Sequence, residues 1–486
     1  MLKKFNEMTT KVGDRVLVMV ILSLLSLFVL VAYVLMALYA DLGNDAGYYL
    51  GCVELIYKGK IPYKDFSLGY TPLALYVLLI PRCITSSCVV TLLFHVLIVF
   101  ADAFLLAVCV RKITNKYLFA WLLGLVFLIL VFHLEGTYLY LEPYSILFGE
   151  SAMLFVMSAI DAKTIRRQNI YLLLSGVFVA FAFLSKQYGI VFAAFVGIVV
   201  LLSSEEWKRK ILDCLLLFLG FCIPILLGVS YFRLNGLDLS ALFAQLTGKG
   251  YGAQTLGMYI SGVTRMIRLF PWILIVPVFL FINNNWENGV FWACLISMFF
   301  ASLQFYFNTW DHYFLYLLPF LFVLASIIWK DLWKHKTITL LFLVFYGLYF
   351  TSAIIPLQQL YTKLEIYVEN KPREDEMRIA ESLNRLKQQY GIRKALVFNI
   401  EEQYYWCSFE PALMKKYGFS FGKAVETDEI MSERLEDADC FIASKSGMES
   451  AMGWIGFNRI LSKSFAPVID SDSENICVFV KKKLVY

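Results

Sequence analysis

Four polar residues, each at the edge of an apolar run, carry most of the chemistry this sequence can offer. They are Asp45 in Asn44-Asp45-Ala46-Gly47-Tyr48-Tyr49, Glu142 in Leu141-Glu142-Pro143, Lys186 in Leu184-Ser185-Lys186-Gln187, and His312 in Trp310-Asp311-His312-Tyr313. Two carboxylates, an ammonium and an imidazole supply a proton acceptor, a cation for an anionic ligand, and a group that can serve either end. Each alone has a bland reading: Asp45 as a capping carboxylate, Lys186 as a snorkelling side chain, His312 as a loop residue. Asp65, Tyr48, Tyr49 and Arg265 are further candidates near the same groups. A second set lies inside the apolar runs. His95 and Asp102 are seven residues apart and share a helix face, and Glu150 follows about two turns into its own run. An ionisable group inside a membrane is a functional hypothesis by default. The bland reading is a neutral or paired group joining helices. The functional one is a proton or substrate pathway in a secondary transporter or lipid flippase.

The elements that must position these groups are membrane helices. The chain has 486 residues, 59% of them hydrophobic and 17% charged, and a mean hydropathy of +0.67. An ordinary soluble domain is roughly 25% charged, so a soluble enzyme is excluded. The net charge of +5 lies in short clusters between apolar runs, which points to a membrane and away from nucleic acid. Runs near 16–40, 89–110, 117–133, 144–160, 170–185, 188–203, 211–232, 270–283, 289–307, 313–329 and 337–356 read as about eleven spans. The first is long enough to be a retained anchor rather than a cleaved signal peptide. Arg111, Lys112 and Lys116, Lys163, Arg166 and Arg167, Lys208, Arg209 and Lys210, and Lys330, Lys334 and Lys336 fall in alternate loops. That bias puts the N-terminus in the cytoplasm, and an odd span count puts the C-terminus outside.

The first outer loop is the most informative. A helix over Asp45–Tyr57 accounts for it, with Asn44 as N-cap and Gly59 as stop signal. Ala46, Tyr49, Leu50, Val53, Ile56 and Tyr57 form one apolar face, which predicts a helix lying in the membrane interface. The apolar segment 71–81 is too short to span and reads as interfacial or re-entrant. The loop 235–270, with Gln245, Lys249, Tyr251, Gln254 and Arg265, reads equally as a lid or a connector. Beyond Pro356 charge becomes frequent. A helix over 374–390 and strands over 395–400, 440–443 and 476–480 predict a small α/β domain over 361–486, outside the membrane. Trp406 and Trp454 there read as packing residues. The ten cysteines show no zinc spacing, and a Cys83–Cys88 pairing is disfavoured.

The order of these features resembles the C-type, polyprenyl-phosphate-dependent glycosyltransferases, the superfamily of protein O-mannosyltransferases and aminoarabinose transferases. The resemblance rests on Asn44-Asp45-Ala46-Gly47-Tyr48-Tyr49, on Gly59-Lys60-Ile61-Pro62-Tyr63-Lys64-Asp65-Phe66 followed by Tyr70-Thr71-Pro72-Leu73, on Leu141-Glu142-Pro143, on Leu184-Ser185-Lys186-Gln187, and on His312-Tyr313 with Pro319. It covers most of residues 1–330. It implies a membrane domain over 1–356 with an outer catalytic loop over 41–88, and a polytopic α-helical fold with the α/β domain outside. It implies an inverting transfer of a sugar from a polyprenyl monophosphate to a glycan, lipid or protein acceptor at the plasma (inner) membrane. Asp45 is then the catalytic base with Glu142 beside it, and Lys186 and His312 bind the donor phosphate. A divalent cation on Asp45, Glu142 and His312 is the cofactor left open. Two departures stand out: Asn44 replaces one of the paired acids found in some members, and Trp310-Asp311 stands where an Arg often precedes His-Tyr.

Overall fold

The computed structural model describes residues 2–485 except 67, 137, 204–205, 239, 241–254, 271–272, 274–287, 307–308, 333–360, 367, 399, 401, 413–426 and 469–475. Helices dominate. They begin with α1 (Leu2–Tyr39), α2 (Gly43–Tyr57), α3 (Leu73–Ile84), α4 (Cys88–Thr114), α5 (Tyr117–His133), α6 (Glu142–Ile160), α7 (Ile165–Ser185), α8 (Val191–Ser203) and α9 (Trp207–Leu234). Helices over Leu256–Leu269, Gly289–Ser302 and Leu318–Leu332 follow. Among the described residues, seven are long and apolar enough to cross a membrane: Val16–Tyr39, α4, α6, α7, α9, Gly289–Tyr306 and Asp311–Ile328. Each coincides with a predicted span. The spans predicted at 117–133 and 188–203 are shorter apolar helices, as is α3. Those at 270–283 and 337–356 lie outside the described residues, apart from a few positions at the edge of the first. In a lipid environment helices satisfy every backbone group internally, which is why long apolar runs take this form.

The bundle is organised around α6, which packs on α4, α7 and α8, while α7 packs on α9. Exposed Leu, Ile, Val and Phe side chains on α1 and α9 form the lipid-facing surface expected of a membrane protein. All ten cysteines are free thiols, so Cys83 and Cys88 do not pair.

The helix α2 departs from expectation in two ways. It starts at Gly43, so Asn44 lies inside it and its N-cap is Leu42, which offers no side-chain cap. Nor does it lie with one face open to water. Ala46, Tyr48, Tyr49, Leu50, Cys52, Val53 and Ile56 are all buried. The apolar-face pattern accounts for only part of that set. Tyr48 and Cys52 lie off that face and are nonetheless buried. The short helix Glu402–Cys407 also packs against α2. The end is as predicted: the helix stops at Tyr57 and Gly59 follows in the left-handed region, φ +81°.

The C-terminal segment carries the helix Pro372–Tyr390 and a five-stranded sheet of order β2-β1-β3-β5-β4. The strands are β1 (Lys394–Phe398), β2 (Glu410–Pro411), β3 (Cys440–Ser444), β4 (Phe465–Pro467) and β5 (Ile476–Lys481). β1 pairs in parallel with β2 and β3, and β5 pairs antiparallel with β3 and β4. Buried Leu396, Phe398, Phe441 and Ala443 pack with Met431, Leu435 and Phe457 of flanking helices. Trp454 packs on Phe398 and Phe457, as its packing reading expects.

Candidate active site

Glu142 is the first residue of α6, with Pro143 immediately after it. Proline suits the first turn because the N–H it lacks has no helical partner there, and a carboxylate is favoured at that end of the helix dipole. Lys186 is the C-cap of α7, in extended conformation (φ −157°). The chain then turns through the 3-10 helix Gln187–Ile190, whose Gly189 N–H donates to the Lys186 carbonyl at 2.8 Å. A Cβ on Gly189 would lie 2.3 Å from Ser145 Oγ and 2.4 Å from the Ala182 carbonyl, so only glycine fits. Ser145 Oγ itself donates to the Ala182 carbonyl at 2.8 Å. The start of α6 and the end of α7 are therefore pinned together one turn from the two charged groups.

Lys186 Nζ and Glu142 Oε1 form an ion pair that is almost completely buried, with side chains 1% and 0% exposed. Two charges in such a place are tolerated only as partners. The ammonium also lies 4.9 Å from the Tyr70 ring and 5.2 Å from the Tyr313 ring, both within cation–π range. Glu142 Oε2 has no hydrogen-bond partner among the described residues.

His312 enters from the 3-10 helix Asp311–Leu317, which leads into Leu318–Leu332. Its Nε2 is 3.7 Å from Glu142 Oε1 and its Nδ1 is 3.6 Å from Glu135 Oε2. The imidazole stacks on Tyr140 with centroids 4.2 Å apart and planes 22° apart. His312 therefore bridges two carboxylates. The contact with His312 holds the Glu135 carboxyl below its ordinary range, against a smaller opposing effect of burial.

Asp45 sits in the first turn of α2 and lies within the field of this cluster. Burial raises its carboxyl above the ordinary range, partly opposed by the cations His312 and Lys186 and reinforced by Glu142 and Glu135. Tyr49 stands between them: its ring is 6.3 Å from Tyr70, and it feels the charges of Asp45 and Glu142. Tyr48, 5.4 Å away ring to ring, faces Cys52 instead. Asp45, Glu142, Lys186 and His312, far apart in sequence, are thus brought together.

The remaining candidates divide. Arg265, on the helix Leu256–Leu269, forms an ion pair with Asp311 and donates to the Thr309 carbonyl at 3.4 Å. It returns a guanidinium to the neighbourhood of His312 from a different helix. Gln245, Lys249, Tyr251 and Gln254 of that loop lie outside the described residues. Asp65 Oδ2 accepts from the Ile61 N–H at 2.8 Å. It thereby shapes the turn after α2, and this local bond is what the structure gives it. His95 Nε2 is 3.2 Å from the Gly136 carbonyl, so this buried imidazole braces the loop that carries Glu135. Asp102 and Glu150 are buried between α4 and α6, within electrostatic reach of each other.

Among the described residues, no group of three or more His, Cys, Asp and Glu side chains is arranged to hold a metal ion. Glu142 pairs with Lys186 through Oε1 and keeps Oε2 without a hydrogen-bond partner among the described residues. Sequence reasoning missed Glu135, Tyr140 and the Tyr70–Tyr313 pair flanking Lys186. Glu135 and Tyr140 lie in a stretch without Lys or Arg that precedes Glu142, and that sparse loop was the available signal.

No family model matches this chain, and no curated protein is similar to it in sequence at a significant level. Solved structures are similar. ArnT from Cupriavidus metallidurans in the apo state aligns with a TM-score of 0.63 at 11% identity, over 95% of this chain and 97% of that one. ArnT from Cupriavidus metallidurans bound to undecaprenyl phosphate aligns with a TM-score of 0.61 at 12% identity, over 97% and 99%. An oligosaccharyltransferase of Archaeoglobus fulgidus, in complex with zinc and sulfate, reaches a TM-score of 0.47 at 13% identity over 90% and 71%, too low to argue from. The alignment with the ArnT structures takes in nearly the whole chain, so this chain shares their fold, which is the fold the sequence resemblance implies.

Proposed function

We infer that this chain is a membrane glycosyltransferase that moves a sugar from a polyprenyl-phosphate donor to an acceptor hydroxyl or phosphate. The observation that carries the reading is the wholly buried Lys186, held by Glu142 and flanked by His312 and Asp45 at one end of the bundle. A buried ammonium set between aromatic rings is a preorganised site for an anionic leaving group. One of the similar ArnT structures carries undecaprenyl phosphate, which supports a lipid phosphate as that group. The charge bias of the loops supports placing the site on the outer face, with the N-terminus in the cytoplasm and residues 361–486 outside.

The residues then have definite tasks. The acceptor oxygen attacks the anomeric carbon as the bond from that carbon to the phosphate oxygen breaks. The phosphate leaves with the electron pair. Asp45 takes the acceptor proton, and its raised pKa makes it a better base than an ordinary aspartate. Lys186 neutralises the charge that grows on the phosphate, with His312 on its other side. Glu142 holds Lys186 in place before the donor arrives. Arg265 and Tyr49 border this space and select or orient the substrates.

The transporter or flippase alternative keeps one observation in its favour. Asp102 Oδ1 and both carboxyl oxygens of Glu150 have no hydrogen-bond partner among the described residues. His95 adds one more such atom, its Nδ1, while its Nε2 lies 3.2 Å from the Gly136 carbonyl.

The test is lipid mass spectrometry on the purified protein, wild type against Lys186→Ala. Polyprenyl phosphate or its glycosylated form should co-purify with wild type and be lost from the variant. If wild type retains none and binds no added polyprenyl-phosphate sugar, the reading is wrong.

A further inference from the structure

The N-terminus of α2 is buried but has no cap of its own. Leu42 cannot accept a hydrogen bond through its side chain, and the first-turn N–H groups of a helix need acceptors. The acceptor comes from 334 residues away in sequence. Both carboxylate oxygens of Glu376 lie 3.1 Å from the Leu42 N–H, and Oε1 lies 3.4 Å from the Gly43 N–H. Three residues earlier on the same helix, Arg373 Nη1 donates to the carbonyls of Ala37 at 2.7 Å and Leu38 at 3.0 Å, at the end of α1. Arg373 and Glu376 are one helical turn apart, and are 5% and 9% exposed. Together they grip both sides of the turn that joins α1 to α2: a cation on the terminal carbonyls of one helix, a carboxylate on the leading amides of the next. Trp406 Nε1 donates to Glu376 Oε2 at 3.4 Å, and Gln403 Nε2 donates to the Glu376 carbonyl at 3.4 Å. Both belong to the helix that packs on α2, and Tyr405 of that helix donates to the Ser86 carbonyl at 3.0 Å.

Asp45 follows two residues after the clamped Gly43. We propose that Glu376, supported by Arg373 and Trp406, is a positioning residue: the C-terminal segment fixes the first turn of α2 and so sets the distance of Asp45 from Lys186 and His312. The assignment of a catalytic role to Asp45 rests on the function proposed above. The clamp itself rests only on the hydrogen bonds. Glu376 touches no reacting group in this scheme. Its effect is on orientation, where misplacement by about 1 Å can cost on the order of 100-fold in rate.

Two measurements on the full-length protein test this. Hydrogen exchange over residues 40–48 should be faster by ten-fold or more in Glu376→Ala than in wild type, while exchange in α6 is unchanged. Equal exchange in the two proteins would overturn the clamp. In parallel, Glu376→Ala should lower kcat about ten-fold or more, leave donor binding within two-fold, and displace the acid limb of the pH profile, because the surroundings of Asp45 change. Glu376→Gln keeps an acceptor oxygen for the Leu42 N–H and should recover most of the rate. A rate loss matched by an equal loss of donor binding, or no rescue by Gln, would reduce Glu376 to a structural residue. A wild-type chain inactive with polyprenyl-phosphate sugars would fail the functional reading, and the exchange result would still decide the clamp.

Discussion

Two buried sets of ionisable side chains lie along α6, and they are built differently. At its first residue, Glu142 has Lys186 as an ion partner and His312 at 3.7 Å. Two turns further in, Glu150 lies within electrostatic reach of Asp102 and Cys109, and neither of its carboxyl oxygens has a hydrogen-bond partner among the described residues. Burial alone therefore does not mark a site. What distinguishes the first set is a basic side chain beside the carboxylate, the partner that a buried charge needs. A carboxyl pair without a cation has nothing to offset the cost of charge in that setting.

The comparison breaks most sharply at Lys186. Replacing it with Ala removes the cation proposed to bind the donor phosphate and leaves Glu142 buried without its partner. Transfer should fall by at least about 1000-fold, in line with loss of a preorganised transition-state contact. Stability should fall by roughly 3–5 kcal/mol, as when one member of a buried pair is deleted. The double variant Lys186→Met with Glu142→Gln separates the two effects. It should recover much of the stability, measured by thermal unfolding in detergent, and none of the transfer. Recovery of transfer would show that Lys186 serves the fold alone.

Asp45→Asn comes next. It keeps shape and removes the base, so transfer should drop by about 100- to 10,000-fold while donor lipid still binds. A fully active protein would remove Asp45 from the mechanism. The same residue makes a pH prediction. In the proposed mechanism Asp45 works as a carboxylate, and burial raises its pKa. Activity should therefore be lost on acidification at a pH above the ordinary aspartate range, and be retained as pH rises past it. An acid limb near pH 4 would argue that Asp45 is not the titrating base. His312→Ala should be milder, about ten-fold in kcat/KM for the donor, since Lys186 remains as the cation proposed to meet the phosphate. It should also raise the Glu135 pKa, because His312 is the main cause of its depression. Infrared difference spectra of the carboxyl groups can follow that change.

Much of this molecule was legible in the sequence, for physical reasons. Long apolar runs in lipid can only be helices, and nine of the expected spans appear as apolar helices, seven of them long enough to cross a membrane. Strands at 394–398, 440–444 and 476–481 match the β-branched and aromatic clusters that predict them. The signal that singled out Asp45, Glu142, Lys186 and His312 as candidates was that each falls at the edge of an apolar run. The cap of α2 was not. Asn44 is a good capping type, but Glu376 takes the leading amides from far along the chain, and local pattern cannot register a partner that remote. Burial of both faces of α2 was invisible for the same reason, since the helix Glu402–Cys407 that packs on it comes from the same distant segment.

The smallest expected effect sharpens the contrast from the other side. Asp102→Asn and Glu150→Gln each replace an acid by its neutral isostere. If this inner pair only joins α4 to α6, both variants should keep transfer within about three-fold of wild type and unfold at nearly the same temperature, because an amide fills the same space without needing a cation. Activity in proteoliposomes with and without an imposed proton gradient is the decisive reading. A wild-type rate that follows the gradient, and a variant rate that does not, would give Asp102 and Glu150 a part in moving protons across the membrane. Rates blind to the gradient in all three proteins would leave the work to the end of α6 where Lys186 meets Glu142.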